Sequence, residues 1–154
     1  MNPEYRGARF QLASMYLFEG RPEEALAKLT GLPDSARFRQ IKAAALFDMG
    51  ETRKAQMALE DFLQSPSPPD PFDTATLYAW RGENDEAFEW LEMALEQRAT
   101  GLSTILGNPV LVRLKDDPRY PILLEKIGLR EAWEAMPPKY GGPSPGPHFS
   151  GTHP

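Results

Sequence analysis

A short pattern of small and apolar residues recurs about every 30 residues in this sequence. It constrains the fold more than any other feature of the chain. Each copy has a glycine five residues before an alanine, with apolar residues at helical spacing on both sides; the pairs are Gly20 and Ala25, Gly50 and Ala55, and Gly82 and Ala87. A period of this length, with two helices in each copy, is typical of helical repeat proteins in which no unit buries its apolar face alone.

The glycine of each pair separates two amphipathic helices. At the first copy, Gly20 follows an apolar helical stripe and supplies the left-handed residue with which a helix can end. Pro22 then stands at the first position of the next helix, where its missing amide costs nothing. Glu23 and Glu24 follow it, and their negative charge suits the positive end of the helix dipole. The pattern therefore predicts a helix, a tight turn and a second helix in each copy.

These patterns predict an all-α protein with one folded domain over residues 1–136. Three helix-turn-helix repeats are expected at about residues 5–34, 35–66 and 71–99, followed by a helical C-terminal cap at 102–136. Asn108-Pro109 and Asp117-Pro118 each pair a capping side chain with a proline, so a short helix is predicted after each. The cap is expected to cover Trp90 and Met93. Residues 137–154 are mostly Pro, Gly and Ser and predict a flexible tail.

The segment SPSPPDP at residues 65–71 cannot be helical. It is interpreted as a stiff connection between the second and third repeats. The alternative is a polyproline ligand for a separate domain. Its place at a repeat boundary favours the connection.

The three units resemble tetratricopeptide repeats. The family's pattern of small, aromatic, glycine, alanine and apolar positions is matched in register by Ala13, Tyr16, Gly20, Ala25 and Leu29; by Ala43, Leu46, Gly50, Ala55 and Leu59; and by Ala75, Tyr78, Gly82, Ala87 and Leu91. The match departs from the family in its spacing of 30 and 32 residues and in the absence of the early tryptophan, so the repeats are degenerate. The resemblance implies an α-solenoid without catalytic activity that binds proteins or peptides.

The C-terminal part of the array, with the stretch DDPRYPILLEKIGL, resembles the end of repeat regions in bacterial multidomain signalling proteins. That resemblance implies an alternative function, as a regulatory or assembly segment of a larger bacterial kinase, cyclase or transcription regulator. The first helix begins almost at Met1 without a capping layer, which motivates this alternative. The same uncapped helix raises the hypothesis of a homo-oligomer formed through it.

The resemblance also implies a concave groove lined by the first helix of each repeat. The residues expected to contact a partner in that groove are Phe10, Ser14, Leu17, Phe18, Arg37, Gln40, Phe47, Thr76 and Trp80. Some of them could instead be buried between neighbouring units. Phe18 and Trp80 are the preferred contact residues because each stands just before a turn glycine and outside the internal stripe.

Composition excludes several classes of function. A net charge of -5 disfavours nucleic acid as a partner, because proteins bind phosphate backbones through positively charged side chains. The chain has no cysteine, so thiolate metal sites and cysteine nucleophiles are excluded. The N-terminal sequence has no apolar core typical of a signal peptide or membrane anchor, so a cytoplasmic location is expected without membrane contact.

The sequence contains few candidate catalytic residues. The only histidines, His148 and His153, lie in the predicted tail, where nothing would fix a catalytic or metal-binding geometry. No enzyme activity, cofactor or metal is therefore predicted. A group of basic residues between 113 and 130 is interpreted as a solvated face beside the acidic third repeat; the alternative is a site for phosphate or an acidic partner.

Overall fold

The computed structural model describes residues 3–145 and is helical throughout, with no β-strand in that range. This confirms the predicted all-α class. Six helices form three hairpins: α1 (Pro3–Phe18) with α2 (Pro22–Leu29), α3 (Ala36–Asp48) with α4 (Thr52–Leu63), and α5 (Pro71–Trp80) with α6 (Asn84–Glu96). None of the helices in the described range is long and apolar enough to cross a membrane.

The turn inside each hairpin has the predicted geometry. Gly20, Gly50 and Gly82 have φ values of 70°, 71° and 76°. In each turn the amide after the glycine donates to the carbonyl five residues earlier, at 2.8 to 3.1 Å. This is the hydrogen-bond pattern of a Schellman C-cap, which requires a left-handed residue and therefore favours glycine. The prediction that these glycines end the first helices is confirmed.

Small side chains allow the two helices of each hairpin to pack closely. Alanine occupies the same two positions in every hairpin, and each of these side chains is at most 1% exposed: Ala13 and Ala25, Ala43 and Ala55, and Ala75 and Ala87. A larger side chain there would push the paired backbones apart. The alanine in the recurring pattern is thus a packing requirement of the hairpin.

Helix α3 contacts both α1 and α5, so the first helices of the three hairpins lie side by side. The buried residues form two core clusters. The first cluster joins the first two hairpins, and the second joins the third hairpin to the C-terminal segment. Leu77 of α5 belongs to the first cluster, and the partly buried Tyr78 and Trp80 pack against both. Helix α5 therefore connects the two halves of the core.

The C-terminal segment differs in part from the predicted cap. It contains 3₁₀ turns at Thr100–Gly107 and Leu111–Leu114, then α7 (Arg119–Lys126) and α8 (Arg130–Glu134). The helix expected after Asn108 is therefore a 3₁₀ turn, although the Asn108 side chain does accept from the amides of Val110 and Leu111 at 2.9 and 3.1 Å. Asp117 Oδ1 likewise accepts from the Arg119 amide, at 2.9 Å.

The cap covers only one of the two α6 side chains that were expected to need it. Trp90 is partly buried and packs against the second core cluster. Met93 remains 38% exposed, so the prediction is wrong for this residue. The buried stripe of α6 runs through Ala87, Leu91 and Ala94, and Met93 lies outside its edge.

The proline-rich connection is tied to the fold at its C-terminal end. The Asp70 side chain accepts from the Phe72 amide at 2.8 Å, and Pro69 is buried. Pro71 is the first residue of α5, so the prediction that residues 65–71 are not helical is wrong at this residue, where the missing amide of proline is tolerated. Part of the predicted tail also has defined contacts. Residues 138–140 form a 3₁₀ turn, and the Trp133 indole donates to the Gly141 carbonyl at 2.9 Å. The remainder of that tail, 146–154, lies outside the described residues.

Candidate interaction groove

A groove of about 240 Å³ lies along the first helices of the three hairpins. Helices α1, α3 and α5 each contribute side chains, and the loop before the second 3₁₀ turn closes one end. The lining residues are Ser14, Leu17, Phe18, Arg37, Gln40, Ile41, Ala44, Asp73, Thr76, Leu77, Trp80, Asn108, Pro109 and Val110. One groove is therefore built from all three hairpins and the cap.

The floor of the groove is apolar and rigidly packed. Leu17, Ile41, Ala44 and Leu77 are between 1% and 6% exposed, because their other surfaces belong to the first core cluster. Such a floor offers apolar contact without having to rearrange when a side chain is inserted. The floor thus suits an aliphatic or aromatic group of a partner.

Trp80 and Phe18 form an aromatic wall. Their rings meet edge to face, with centroids 5.2 Å apart and an interplanar angle of 72°. The Trp80 indole donates to Asp48 Oδ1 at 2.9 Å, and the Arg113 guanidinium lies 5.1 Å from the Trp80 ring centroid. Contacts from three elements therefore fix the orientation of Trp80, whereas Phe18 is 51% exposed.

Polar side chains line the rim and have hydrogen-bonding capacity to spare. Arg37 Nη2 donates to Ser14 Oγ at 3.1 Å, and Gln40 Nε2 donates to the Asp73 carbonyl at 2.9 Å. A guanidinium has five N–H donors and an amide oxygen is an acceptor, so each side chain can still bond a further group. The rim can therefore pair with the backbone of an extended or helical segment.

The two carboxylates near the groove have raised pKa values. Burial raises the pKa of Asp73, and the negative charge of Asp70 adds to the effect while Arg37 opposes it. Burial also raises the pKa of Asp48, against the hydrogen bond from Trp80 and the charge of Arg113. Each carboxylate has an arginine nearby, so the groove carries no strong field of one sign. This arrangement does not favour a phosphate or another concentrated anion.

Most residues predicted to contact a partner do meet in the groove: Ser14, Leu17, Phe18, Arg37, Gln40, Thr76 and Trp80. Phe10 and Phe47 do not line it. Phe10 is partly buried against the first core cluster. Phe47 is 37% exposed, and its ring lies outside the groove with the Arg81 guanidinium 5.0 Å from its centroid. Trp80 was expected outside the internal packing, but it is partly buried against both clusters.

The sequence interpretation missed the contribution of the cap. Asn108, Pro109 and Val110 line the groove, although Asn108-Pro109 was interpreted only as a helix start. The second 3₁₀ turn, which follows these residues, contacts α5, one of the three helices that line the groove. The capping signal after the third repeat could therefore have indicated that these residues close the groove.

The basic residues between 113 and 130 are mostly paired with acidic ones. Arg119 contacts Asp85 of α6 at 2.8 Å, and Lys126 contacts Glu92 of the same helix at 2.7 Å. All four side chains are substantially exposed, so each pair contributes only about 0 to 1 kcal/mol. The pairing fits the interpretation of a solvated face and leaves the alternative phosphate site without structural support.

Within residues 3–145, no three acidic or histidine side chains lie close enough together to hold a metal ion. His148 and His153 lie outside the described residues. The groove is thus the candidate site that the described part of the chain offers. No protein-family model, no curated protein and no solved structure matches this chain.

Proposed function

We propose that this chain is a tetratricopeptide-like helical repeat module that binds a short segment of a partner protein without catalysing a reaction. The observation that carries the proposal is the groove itself. Three first helices, in the same register, present an apolar floor and a polar rim to one shared concavity. Grooves of this kind hold peptides or amphipathic helices through a few apolar anchors.

The register of the rim supports a single continuous binding surface. Ser14 and Thr76 occupy equivalent positions of the first and third hairpins, and both line the groove. Ala44 occupies the same position in the second hairpin and lies in the floor. A partner segment can therefore cross the three helices over small or polar side chains. The repeat places the bulky Phe18 and Trp80 at one side as a wall.

The size of the groove limits what it accepts. Its volume of about 240 Å³ lies below the range of roughly 300 to 1,000 Å³ that is usual for pockets that enclose a small molecule. One aromatic or branched aliphatic side chain is a better match, placed against Leu77 and Trp80. The flanking backbone of the partner would pair with Gln40 and Arg37. We infer a peptide ligand with one apolar anchor and no cluster of charge.

Selection from a random peptide library against the purified chain tests this proposal. We expect enriched peptides to share an apolar anchor and to shift the amide resonances of Ser14, Gln40 and Thr76 in a labelled protein. Ser14→Trp places a large ring at the partly exposed rim of the groove, and we expect it to weaken binding at least tenfold.

Met57→Trp is the matched control, because Met57 is 58% exposed on α4 and does not line the groove. This variant should bind the selected peptides as the unchanged chain does, and both variants should keep the original melting temperature. Peptides that bind Ser14→Trp with undiminished affinity, or a library that yields no groove-binding sequence, would overturn the proposal.

A further inference from the structure

A second apolar surface lies on the face of α1 opposite its buried stripe. It consists of Tyr5, Ala8, Leu12 and Met15, which we call the N-terminal seam. Tyr5, Leu12 and Met15 are 68%, 41% and 56% exposed, and Ala8 is also exposed. No element within residues 3–145 covers this surface. The groove uses other residues of the same helix, so the seam is independent of the proposed function.

The other hairpins show what normally lies on such a face. At the positions equivalent to Leu12 and Met15, α3 has Lys42 and Ala45, and α5 has Thr74 and Leu77. Ala45, Thr74 and Leu77 are at most 1% exposed, and Leu77 packs into the cluster of the preceding hairpin. Lys42 is partly exposed, and in α1 the same two positions carry apolar side chains that are 41% and 56% exposed. The seam thus has the register and the chemistry of a helix-packing surface.

The spacing of the seam indicates the kind of helix that fits it. Its residues follow one another at intervals of three, four and three. Apolar residues with this spacing form the a and d positions of a coiled-coil interface, in which side chains of one helix enter holes of the other. A hollow beside Ala8 provides such a hole; its other lining residues are Tyr5, Arg9, Leu12, Ala27 and Lys28. A straight, amphipathic helix is therefore the expected occupant.

We propose that the occupant is the α1 helix of a second copy of this chain, packed antiparallel about a two-fold axis. That arrangement places Leu12 of one copy opposite Ala8 of the other, so a large side chain meets a small one. It also places Tyr5 opposite Met15, a pairing of aromatic ring and thioether that is favourable. The seam is thus complementary to itself, as an isologous interface requires.

Positive charge beside the seam weakens this contact. The seam contains no ionisable group other than the phenol of Tyr5. Arg9, the nearest basic side chain to the axis, donates through Nη2 to the Thr30 carbonyl at 2.5 Å. Its guanidinium is turned toward α2, where Lys28 borders the same hollow, so each copy places two positive side chains beside the seam.

The size of the seam sets the expected strength of the dimer. Helix α1 has 16 residues and is about 24 Å long, and the four seam residues expose roughly 350 to 400 Å² in each copy. The dimer would bury at most about 700 to 800 Å² in total, less than a standard specific interface, so the association is weak. We expect a reversible dimer that forms at about 10 μM to 1 mM.

Sedimentation equilibrium over that range tests the association. The mean mass of the unchanged chain should rise from monomer toward dimer and no further. Leu12→Glu places a charge in the seam and should keep the protein monomeric throughout. Met57→Glu, at another exposed methionine, should dimerise like the unchanged chain. A monomeric mass at every concentration, or a dimer unaffected by Leu12→Glu, would overturn the proposal.

The absence of cysteine from the sequence allows the orientation to be tested by disulfide formation. Tyr5→Cys and Met15→Cys variants, one of them isotope-labelled, are mixed and oxidised with oxidised glutathione. In the antiparallel pair these two positions face each other, whereas identical positions are about 15 Å apart along the helix, too far for a disulfide. Mixed dimers should therefore dominate the mass spectrum. Dominance of same-site dimers would exclude the antiparallel arrangement.

Discussion

The buried environment of Tyr120 predicts how the stability of the protein depends on pH. Its side chain is fully buried, its ring lies edge to face with Trp133 at 5.6 Å, and its hydroxyl has no partner among the described residues. Burial raises the pKa of Tyr120 to about 12. Between the ordinary tyrosine pKa near 10 and this value, only the unfolded chain loses the proton. Rising pH therefore favours the unfolded state.

Tyr120→Phe should remove that dependence. At pH 11 the buried phenol of the unchanged chain is expected to lower the free energy of unfolding by about 1.4 kcal/mol relative to pH 7, and the variant should lack this contribution. At pH 7 the variant should be equal or more stable by up to about 1 kcal/mol, because an unpaired hydroxyl is no longer buried. Urea unfolding at both pH values measures the difference. If Tyr120→Phe lost as much stability between pH 7 and pH 11 as the unchanged chain, the raised pKa of Tyr120 would be contradicted.

Single residues also show how much of the site could be derived from the sequence. The repeat predicts Ser14 and Thr76 as groove residues because it places them at one position of the first and third hairpins, and both line the groove. Phe47 also belongs to a first helix, yet its ring lies outside the groove, with the guanidinium of Arg81 near its face. The periodic pattern specifies the helix and the position on it. It does not specify which neighbour the side chain will contact.

At the scale of the helices, α6 ends differently from the first helices of the hairpins. Arg98 has a φ of 52°, and its turn has the same hydrogen bonds as the glycine turns, from the Arg98 amide to Leu95 and from Ala99 to Ala94. A side chain with Cβ costs roughly 1 to 2 kcal/mol in this conformation. The Arg98 residue is exposed, so little packing offsets that cost.

Arg98→Gly is therefore expected to stabilise the protein. The gain should be up to about 1 kcal/mol, because the greater freedom of glycine in the unfolded chain offsets part of the relieved strain. Gly50→Arg places a side chain with Cβ in the left-handed conformation at a turn that now has glycine. It should lower stability by a similar amount. Thermal and urea unfolding of both variants provide the comparison. A loss of stability in Arg98→Gly would show that the arginine makes a favourable contact there.

The helices also differ in how far their sequences specify them. Proline and glycine stand near both ends of α2: Pro22 is its first residue, and Gly31, with a φ of 76°, closely follows its last residue, Leu29. Glycines also stand near both ends of the Thr100–Gly107 segment, but they do not predict that it forms 3₁₀ turns. It is fixed by long-range packing, since a Cβ at Gly101 would lie 2.4 Å from the Phe72 ring, and Leu102 and Ile105 are buried in the second core cluster. Contacts between distant segments determine the conformation of this element, and a local sequence pattern does not predict such contacts.

For the whole molecule, the feature that matters most is the way α5 connects two core clusters. Leu77 lies in the first cluster, whereas Phe72, Ala75 and Ala79 of the same helix lie in the second. Tyr78 and Trp80 contact both. In a linear arrangement of hairpins, stability is approximately a sum of unit terms and interface terms, so cooperativity depends on interfaces of this kind. We expect the described region to unfold in one transition because this interface is extensive and apolar.

Leu77→Ala tests that coupling. Leu77 is 1% exposed, and its truncation should cost about 2 to 5 kcal/mol. Because the loss falls on the interface, the first two hairpins should then unfold at a lower urea concentration than the third hairpin and the cap. Amide hydrogen exchange measured across the transition separates the two groups of helices. Leu91→Ala removes a fully buried leucine from the second cluster alone and should leave the interface side chains in place. A single transition in Leu77→Ala, with all helices opening together, would show that side chains such as Tyr78 and Trp80 are sufficient to hold the two halves as one unit.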